Sequence, residues 1–174
     1  MPEAYRPQAF IDFEVFEDSI NLIGLAKVSP PAVTSTTISM MGAGIGGTVE
    51  TPLAGMIEAM TTSMDFRSTT DAIVSLMAPK KHHITLRAVE QEWDMNQVEQ
   101  AYRGLKVVMV LLPKSTKPGT IAPAAASDAS GEYSVFYYAA YKDGECLWEI
   151  DPFNQIFRVK GVDYWADIRK LLGK

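Results

Sequence analysis

The sequence predicts a mainly β fold of α+β type, a β-sandwich or barrel carrying two short helices. Three observations lead there. Runs rich in Val, Ile, Thr and aromatic residues recur along the 174 residues, separated by Gly, Pro and Asp turns. Only two stretches, one after Ser68 and one after Asp163, place apolar residues at helical spacing. Finally, 47% of the residues are apolar and no break in composition divides the chain, so residues 1–174 are read as a single domain.

Taken in order, Phe10 to Val15 is apolar at nearly every position, and Glu17-Asp18 turns the chain into Ile20 to Val28, two strands in a hairpin. Pro30-Pro31 stops the second strand, and Val33 to Met41 resumes as an extended segment. Gly42-Ala43-Gly44-Ile45-Gly46-Gly47 then has the form of the G-x-G-x-x-G dinucleotide fingerprint. That fingerprint needs a helix starting at the loop, because helix amides hold the pyrophosphate. The next residues, Thr48-Val49-Glu50-Thr51-Pro52, are β-branched, acidic and closed by a proline, so a flexible loop is expected instead. Met56 to Arg67 reads as one long strand with neither face cleanly apolar, either shared between solvent, core and a partner or an ordinary edge strand. Ser68 to Asp71 resembles a capping box opening a helix of about two to three turns, with Ile73, Leu76 and Met77 inward and Pro79 beyond its end.

Lys80-Lys81-His82-His83 comes next. Adjacent histidines on a strand point to opposite faces, so a metal site there would need distant ligands, and a solvated strand entrance is expected. Ile84 to Val89 is a strand leading to Glu90-Gln-Glu92-Trp93-Asp94. Within Val98 to Leu112, the run from Leu105 onward is the most apolar of the chain and must be covered on both faces or by a neighbour, with Pro113-Lys114 as a gatekeeper pair at its end. Ser115 to Gly131, rich in Ala, Pro and Ser, reads as an outward loop that orders against a neighbour, or as a mobile tip.

The last quarter is read in most detail. Tyr133 to Tyr141 is an aromatic strand, Lys142-Asp143-Gly144-Glu145 a hairpin turn, and Cys146 to Asp151 the returning strand, stopped by Pro152. Ile156 to Val159 is a short strand and Lys160-Gly161 a turn. A final helix starts near Asp163 as N-cap, with Tyr164 or Trp165, Ile168, Leu171 and Leu172 along one face set against a sheet.

Several functions are set aside by composition. A net charge of −5 argues against gripping nucleic acid by neutralising phosphates. Cys146 alone excludes an internal disulfide framework, fits a reducing cytosol, and has no base beside it, so it reads as a small apolar side chain rather than a catalytic thiol. Met1-Pro-Glu-Ala-Tyr-Arg-Pro has no apolar stretch behind a basic one, so no secretory leader is expected, and Val107 to Leu112 falls far short of the ~20 residues a membrane helix needs. No nucleophile with a base, rigid carboxylate pair or metal-ligand spacing is found; Glu145, Glu149 and Asp151 share one strand face, and such rows are usually solvated. No catalytic, cofactor-binding or metal residue is therefore assigned, and no cofactor is expected.

The order of parts resembles the major tail tube proteins of contractile-tailed bacteriophages. The aromatic strand and Gly turn carry the resemblance, with Trp148-Glu149-Ile150-Asp151-x-x-Asn154, then Lys160-Gly161-Val162-Asp163 and Ile168-Arg169-x-x-Leu172-Gly173. Gly42 to Val49, the strand near Ile57 to Phe66 and Tyr102-Arg103-Gly104 extend it backwards. The resemblance implies a structural virion protein forming stacked hexameric rings, whose sheets join between copies around a channel for DNA ejection. It implies a tail sheath protein outside, a tape measure protein within during assembly, and baseplate and tail terminator proteins at the ends. DNA would pass without specific binding and no membrane would be involved. The Gly-rich segment would contact neighbouring subunits through Gly42, Gly44, Ile45, Gly46, Gly47 and Val49. Carboxylates such as Glu58 and Asp65 would face the lumen and repel phosphates. The inner tube of a phage-derived contractile bacteriocin or injection system is an alternative. Another, of a different class, is a monomeric β-barrel binding a small ligand in an interior lined by Phe136, Trp148 and Phe157.

Overall fold

A computed structural model describes residues 5–22 and 24–174. The expectations resting on residues 1–4 and on residue 23 lie outside the described residues. The fold is mainly β. Its strands, in chain order, are β1 (Tyr5–Glu17), β2 (Ile20–Asn21), β3 (Leu25–Ser29), β4 (Ser35–Met40), β5 (Val49–Ile57), β6 (Met60–Phe66), β7 (His82–Asp94), β8 (Glu99–Lys117), β9 (Ala129–Lys142), β10 (Glu145–Asp151), β11 (Ile156–Val159) and β12 (Val162–Asp163). Helix α1 (Asp71–Leu76) comes after β6, and α2 (Ala166–Leu171) after β12.

Ten strands form one antiparallel sheet in the order β12-β11-β10-β9-β8-β7-β1-β2, with β3 and β6 branching from β9. Strand β9 makes the branch possible. Its first half, Ala129 to Val135, pairs with β6, and its second half pairs with β10, while β8 runs along the other edge throughout. Between the halves the register slips, so Val110 faces Tyr137 but Leu111 faces Val135. The extra residue, Phe136, reverses the alternation, as a bulge must. Tyr133 and Val135 point inward before it, Tyr138 and Ala140 after it.

Both branches feed one core. Met60, Met64 and Phe66 of β6 meet Ile84 and Leu86 of β7, Val107, Met109 and Leu111 of β8, and Ile73 and Leu76 of α1. Burial of each such side chain contributes about 1.5–3 kcal/mol. Asp143-Gly144 and Lys160-Gly161 turn the C-terminal hairpins with φ of 51° and 88°, and 47° and 82°, as the residue types required.

Several expectations are corrected. The run Ile20 to Val28 is broken: β2 pairs with β1, but β3 turns at Gly24 (φ +89°) and pairs with β6. Met56 to Arg67 is two strands, divided at Glu58-Ala59, with only β6 in the main sheet and its even-numbered face wholly buried. Pro52 does not close its segment; β5 continues through it, because a two-stranded ribbon leaves an outer edge where proline's missing N–H costs little. The α1 N-cap is Thr70, which makes no side-chain cap bond, and Met77 is exposed. Strand β8 runs through Pro113 to Lys117, with a register slip between Pro113 and Ser115, and shortens the expected loop to residues 118–128. Helix α2 starts at Ala166 with Trp165 at its N-cap and buries none of its residues. Leu171 is 88% exposed, so the C-terminal part of the apolar stripe faces outward, while Trp165 and Ile168 are half-buried.

His82 is the largest departure. Instead of a solvated entrance it is fully buried, its Nδ1 against the Glu17 carboxylate and its Nε2 3.0 Å from the Ala78 carbonyl oxygen, while Ser75 donates to Glu17 at 3.2 Å. The contact ties β1, β7 and the end of α1 together. His83, on the opposite face, is exposed.

Candidate assembly surfaces

Strands β4 and β5 form a two-stranded sheet and, among the described residues, pair only with each other. Their register makes the ribbon amphipathic. Ile38 and Met40 stand opposite Thr51 and Val49 on one face, and Thr37 and Ser39 stand opposite Pro52 and Glu50 on the other. The apolar face has no layer against it toward the tip: Ile38, Met40 and Val49 are 49%, 43% and 47% exposed. An isolated two-stranded hairpin is at best marginally stable in water, so a ribbon built this way gains from a surface that covers it.

The turn of the ribbon holds the Gly-rich segment. Gly42, Gly44, Ile45, Gly46 and Gly47 share the exposed tip, and Val49 heads β5. Gly42 accepts a hydrogen bond from the Ile45 amide at 3.1 Å, and Gly44 holds a φ of +89°. Apart from the adjoining residues of the chain, no heavy atom of the described residues lies within 4 Å of where a Cβ would stand on Gly42, Gly44, Gly46 or Gly47. A strand rather than a helix succeeds the tip, so it offers no helix N-terminus to a pyrophosphate. Sequence reasoning found this tip but missed the ribbon beneath it. The alternation Thr36, Ile38, Met40 against Ser35, Thr37, Ser39 was the available signal.

Glu58 and Asp65 are not brought together. Glu58 is exposed in the connection between ribbon and β6, its amide donating to the Thr34 carbonyl at 2.9 Å. Asp65 lies on the outward face of β6 between Lys27 of β3 and Ser130 of β9. Along that face Ser63 stands beside Glu132 and Thr61 beside Ser134, and Lys114 pairs with Glu132 at 3.0 Å. The surface is rich in Ser and Thr, and lysines stand close to its carboxylates.

The sheet ends on strands of two residues, β12 and β2, and its branch ends on β3. Short edges limit pairing with arbitrary chains. Beyond the core, β1, β7 and β8 continue together, and their inward face carries charge. Lys142 donates to Glu90 and Glu92 at 2.8 and 2.7 Å, and these bonds raise its pKa. Arg103 lies 2.8 Å from Glu92, 3.2 Å from Asp143 and 4.4 Å from the centre of the Tyr5 ring. Each of these charges has a partner, so the cluster ties β7, β8 and β9 together.

The remaining candidates are occupied in the same way. A register slip between Cys146 and Trp148 puts Glu145 opposite Lys142 and Glu149 opposite Ala139, on different faces, so the three carboxylates do not form the single row expected. Glu149 accepts from the Tyr137 hydroxyl at 3.1 Å and from Arg158, and Asp151 accepts from the Asn154 amide at 3.0 Å. Burial first, then a hydrogen bond with Tyr141, raise the pKa of Tyr137. Trp148 and Phe157 pack against the filled core, whereas Phe136 stacks on the exposed ring of Phe153. The three therefore do not line a shared interior. Among the described residues no group of three His, Cys, Asp or Glu side chains could hold a metal, and no helix is long and apolar enough to cross a membrane.

A family model described as phage tail tube protein FII matches residues 7–173. No curated protein matches the chain.

Proposed function

The chain belongs to the phage tail tube protein FII family, and from that premise we propose that its copies close into hexameric rings, stacked as the inner tube of a contractile phage tail. The family is one of structural tail components rather than enzymes. The observation that carries the proposal is the β4–β5 ribbon, which pairs with no other strand among the described residues and leaves its apolar face half exposed. In a ring or stack, the neighbouring copy covers that face. Gly42, Gly44, Ile45, Gly46, Gly47 and Val49 form the leading contact, and the open space around the four glycines lets a second backbone approach closely. Such a contact is head-to-tail, and head-to-tail contacts either close into rings or extend into filaments.

Residues 1–174 act as one tail tube domain. The sheath lies outside the tube, the tape measure protein fills it during assembly, and baseplate and terminator proteins meet its ends. The subunit is made in the host cytoplasm and works in the virion tail. Ejected DNA passes through the lumen unbound, repelled by carboxylates that include Glu58 and Asp65. The net charge of −5 supports a wall that phosphates do not adhere to. Negative-stain microscopy of the concentrated, purified chain tests this: tubes with six-fold end views and an acidic channel are expected. Particles with the dimensions of single copies, or a basic channel wall, contradict it.

A further inference from the structure

The ribbon leaves the body at an irregular base. Ser35 faces Ile57 and Thr37 faces Pro52, so residues 53–56 of β5 stand against Thr36 alone. Gly55 lies in that bulge with φ +69°, and the Trp165 indole lies directly on it. A Cβ at Gly55 would stand 1.6 Å from the indole Nε1 and 1.9 Å from Cδ1. Backbone conformation and space both demand glycine there.

Trp165 is itself held in place. Asp163 accepts the Trp165 amide at 3.0 Å and the Arg169 guanidinium at 2.6 Å, and Arg169 also donates to the Gln155 carbonyl. These bonds pin α2 to the turn between β10 and β11. Ile150 of the core, Pro152 and Ile156 line the same small cleft as Gly55 and Trp165, about 170 Å³ in volume. A six-residue helix that buries none of its own residues adds little to the core, and too few turns form for it to be stable alone. Its firm contact with the ribbon base is therefore the feature to explain.

We propose that Trp165 is a positioning residue for assembly, with α2 serving as a brace that fixes the direction of the β4–β5 ribbon. The inference rests on the self-assembly reading above. With residues 53–56 bulged against Thr36, the ribbon reaches about 14 Å from Thr36 to Met40 and at most about 7 Å more to Gly47, so a swing of about 15° at its base moves the tip by about 5 Å, roughly the spacing between neighbouring strands. A loose base spreads the tip over positions that miss the adjacent copy, and association then carries the cost of ordering it.

The test compares Trp165→Ala, Trp165→Phe, Gly55→Ala and the Trp165→Ala/Gly55→Ala pair in the full chain. Hydrogen exchange at residues 34–57 is read in dilute, unassembled protein, and sedimentation at high concentration reads assembly. Each of the two alanine changes is expected to speed ribbon exchange at least tenfold and to raise the concentration needed for assembly, with exchange in β7 to β9 unchanged. The pair should cost less than the sum of the two, because both break one contact while the positive φ at residue 55 strains alanine in either background, and Trp165→Phe should retain part of the protection. Ribbon exchange and assembly at wild-type levels in Gly55→Ala overturn the proposal, even where Trp165→Ala disturbs the core. Failure of the unaltered chain to assemble would instead sink the self-assembly reading, and the exchange comparison would still decide the brace.

Discussion

Tyr133 and Gly131 give a prediction with an unusual sign. Tyr133 is fully buried, and its hydroxyl has no hydrogen-bond partner among the described residues. Its ring folds back across Gly131, so that a Cβ on residue 131 would stand 2.2 Å from Oη and 2.6 Å from Cζ. The ring has no open space to swing into, because Tyr133 is fully buried within the core cluster. Gly131→Ala therefore overpacks the core and should cost about 3 kcal/mol, the upper part of the usual range. At about 2–4 °C per kcal/mol for a chain of this size, Tm should fall by roughly 6–12 °C. Tyr133→Phe removes a hydroxyl whose unpaired burial costs about 1–3 kcal/mol, so it should stabilise by about 1 kcal/mol after the small void is counted. Because it also removes the atom nearest the new methyl, the double variant should lose about 1 kcal/mol less than the sum of the singles.

The same hydroxyl adds a pH signature. Burial, and then the charge of Glu17, push its pKa up to about 12 from an ordinary value near 10. Between those values the unfolded chain releases a proton that the folded chain keeps, so stability falls as pH rises through that window. Tyr133→Phe should lessen this alkaline loss. Urea denaturation at pH 8 and pH 11 measures the four free-energy differences, and thermal unfolding the fall in Tm. A Phe variant less stable than the parent at pH 8, or a neutral Gly131→Ala, would refute the reasoning.

Other changes have simpler expectations. Met109→Ala opens a cavity at a fully buried position and should cost about 2–5 kcal/mol by chemical denaturation; a loss below about 1 kcal/mol would contradict the core described. Glu17→Ala strips the buried His82, and Ser75 beside it, of their shared partner and should cost about 3 kcal/mol by the same method, whereas a surface-like loss would show that the pair contributes little. The Arg169 hydrogen bond holds the Asp163 carboxyl below the usual carboxylate range against the opposing effect of burial. Its stabilisation is complete above the unfolded value of about 3.9 and is lost as pH falls through the lower folded value. Exchange protection of α2 should therefore persist at pH 5 and fade only in stronger acid; loss at pH 5 would contradict this. Ile38→Glu, at an exposed ribbon position, should change monomer stability by less than about 0.5 kcal/mol while reducing assembly in sedimentation, and unimpaired assembly would argue against the ribbon's role.

How far the fold could be read from the sequence depends on the range of the interactions. The C-terminal hairpins were legible because Asp143-Gly144 and Lys160-Gly161 determine their turns locally. The Phe136 bulge was hidden inside an aromatic run in which every position looks inward, and it is set by β8 and by the switch of partner from β6 to β10. Met56 and Met60 keep the alternation of one strand across a corner, so the division at Glu58-Ala59 left no local mark. His82 looked like a surface residue until Glu17, 65 positions earlier, was brought beside it. Leu171 and Leu172 show the limit of periodicity, which finds an apolar face without revealing whether the same chain or another covers it. The glycines of the ribbon's tip were legible as a loop from composition. The ribbon that carries them and the Gly55–Trp165 base depend on pairing that only three dimensions supply.

The central claim is that copies of this chain complete one another. Sedimentation velocity of the purified protein over a wide concentration range tests it most directly. The account predicts a shift from the 19.1 kDa species to ring-sized and then much larger particles as concentration rises. A single 19.1 kDa species at every concentration, with the ribbon amides already protected from exchange, would contradict it.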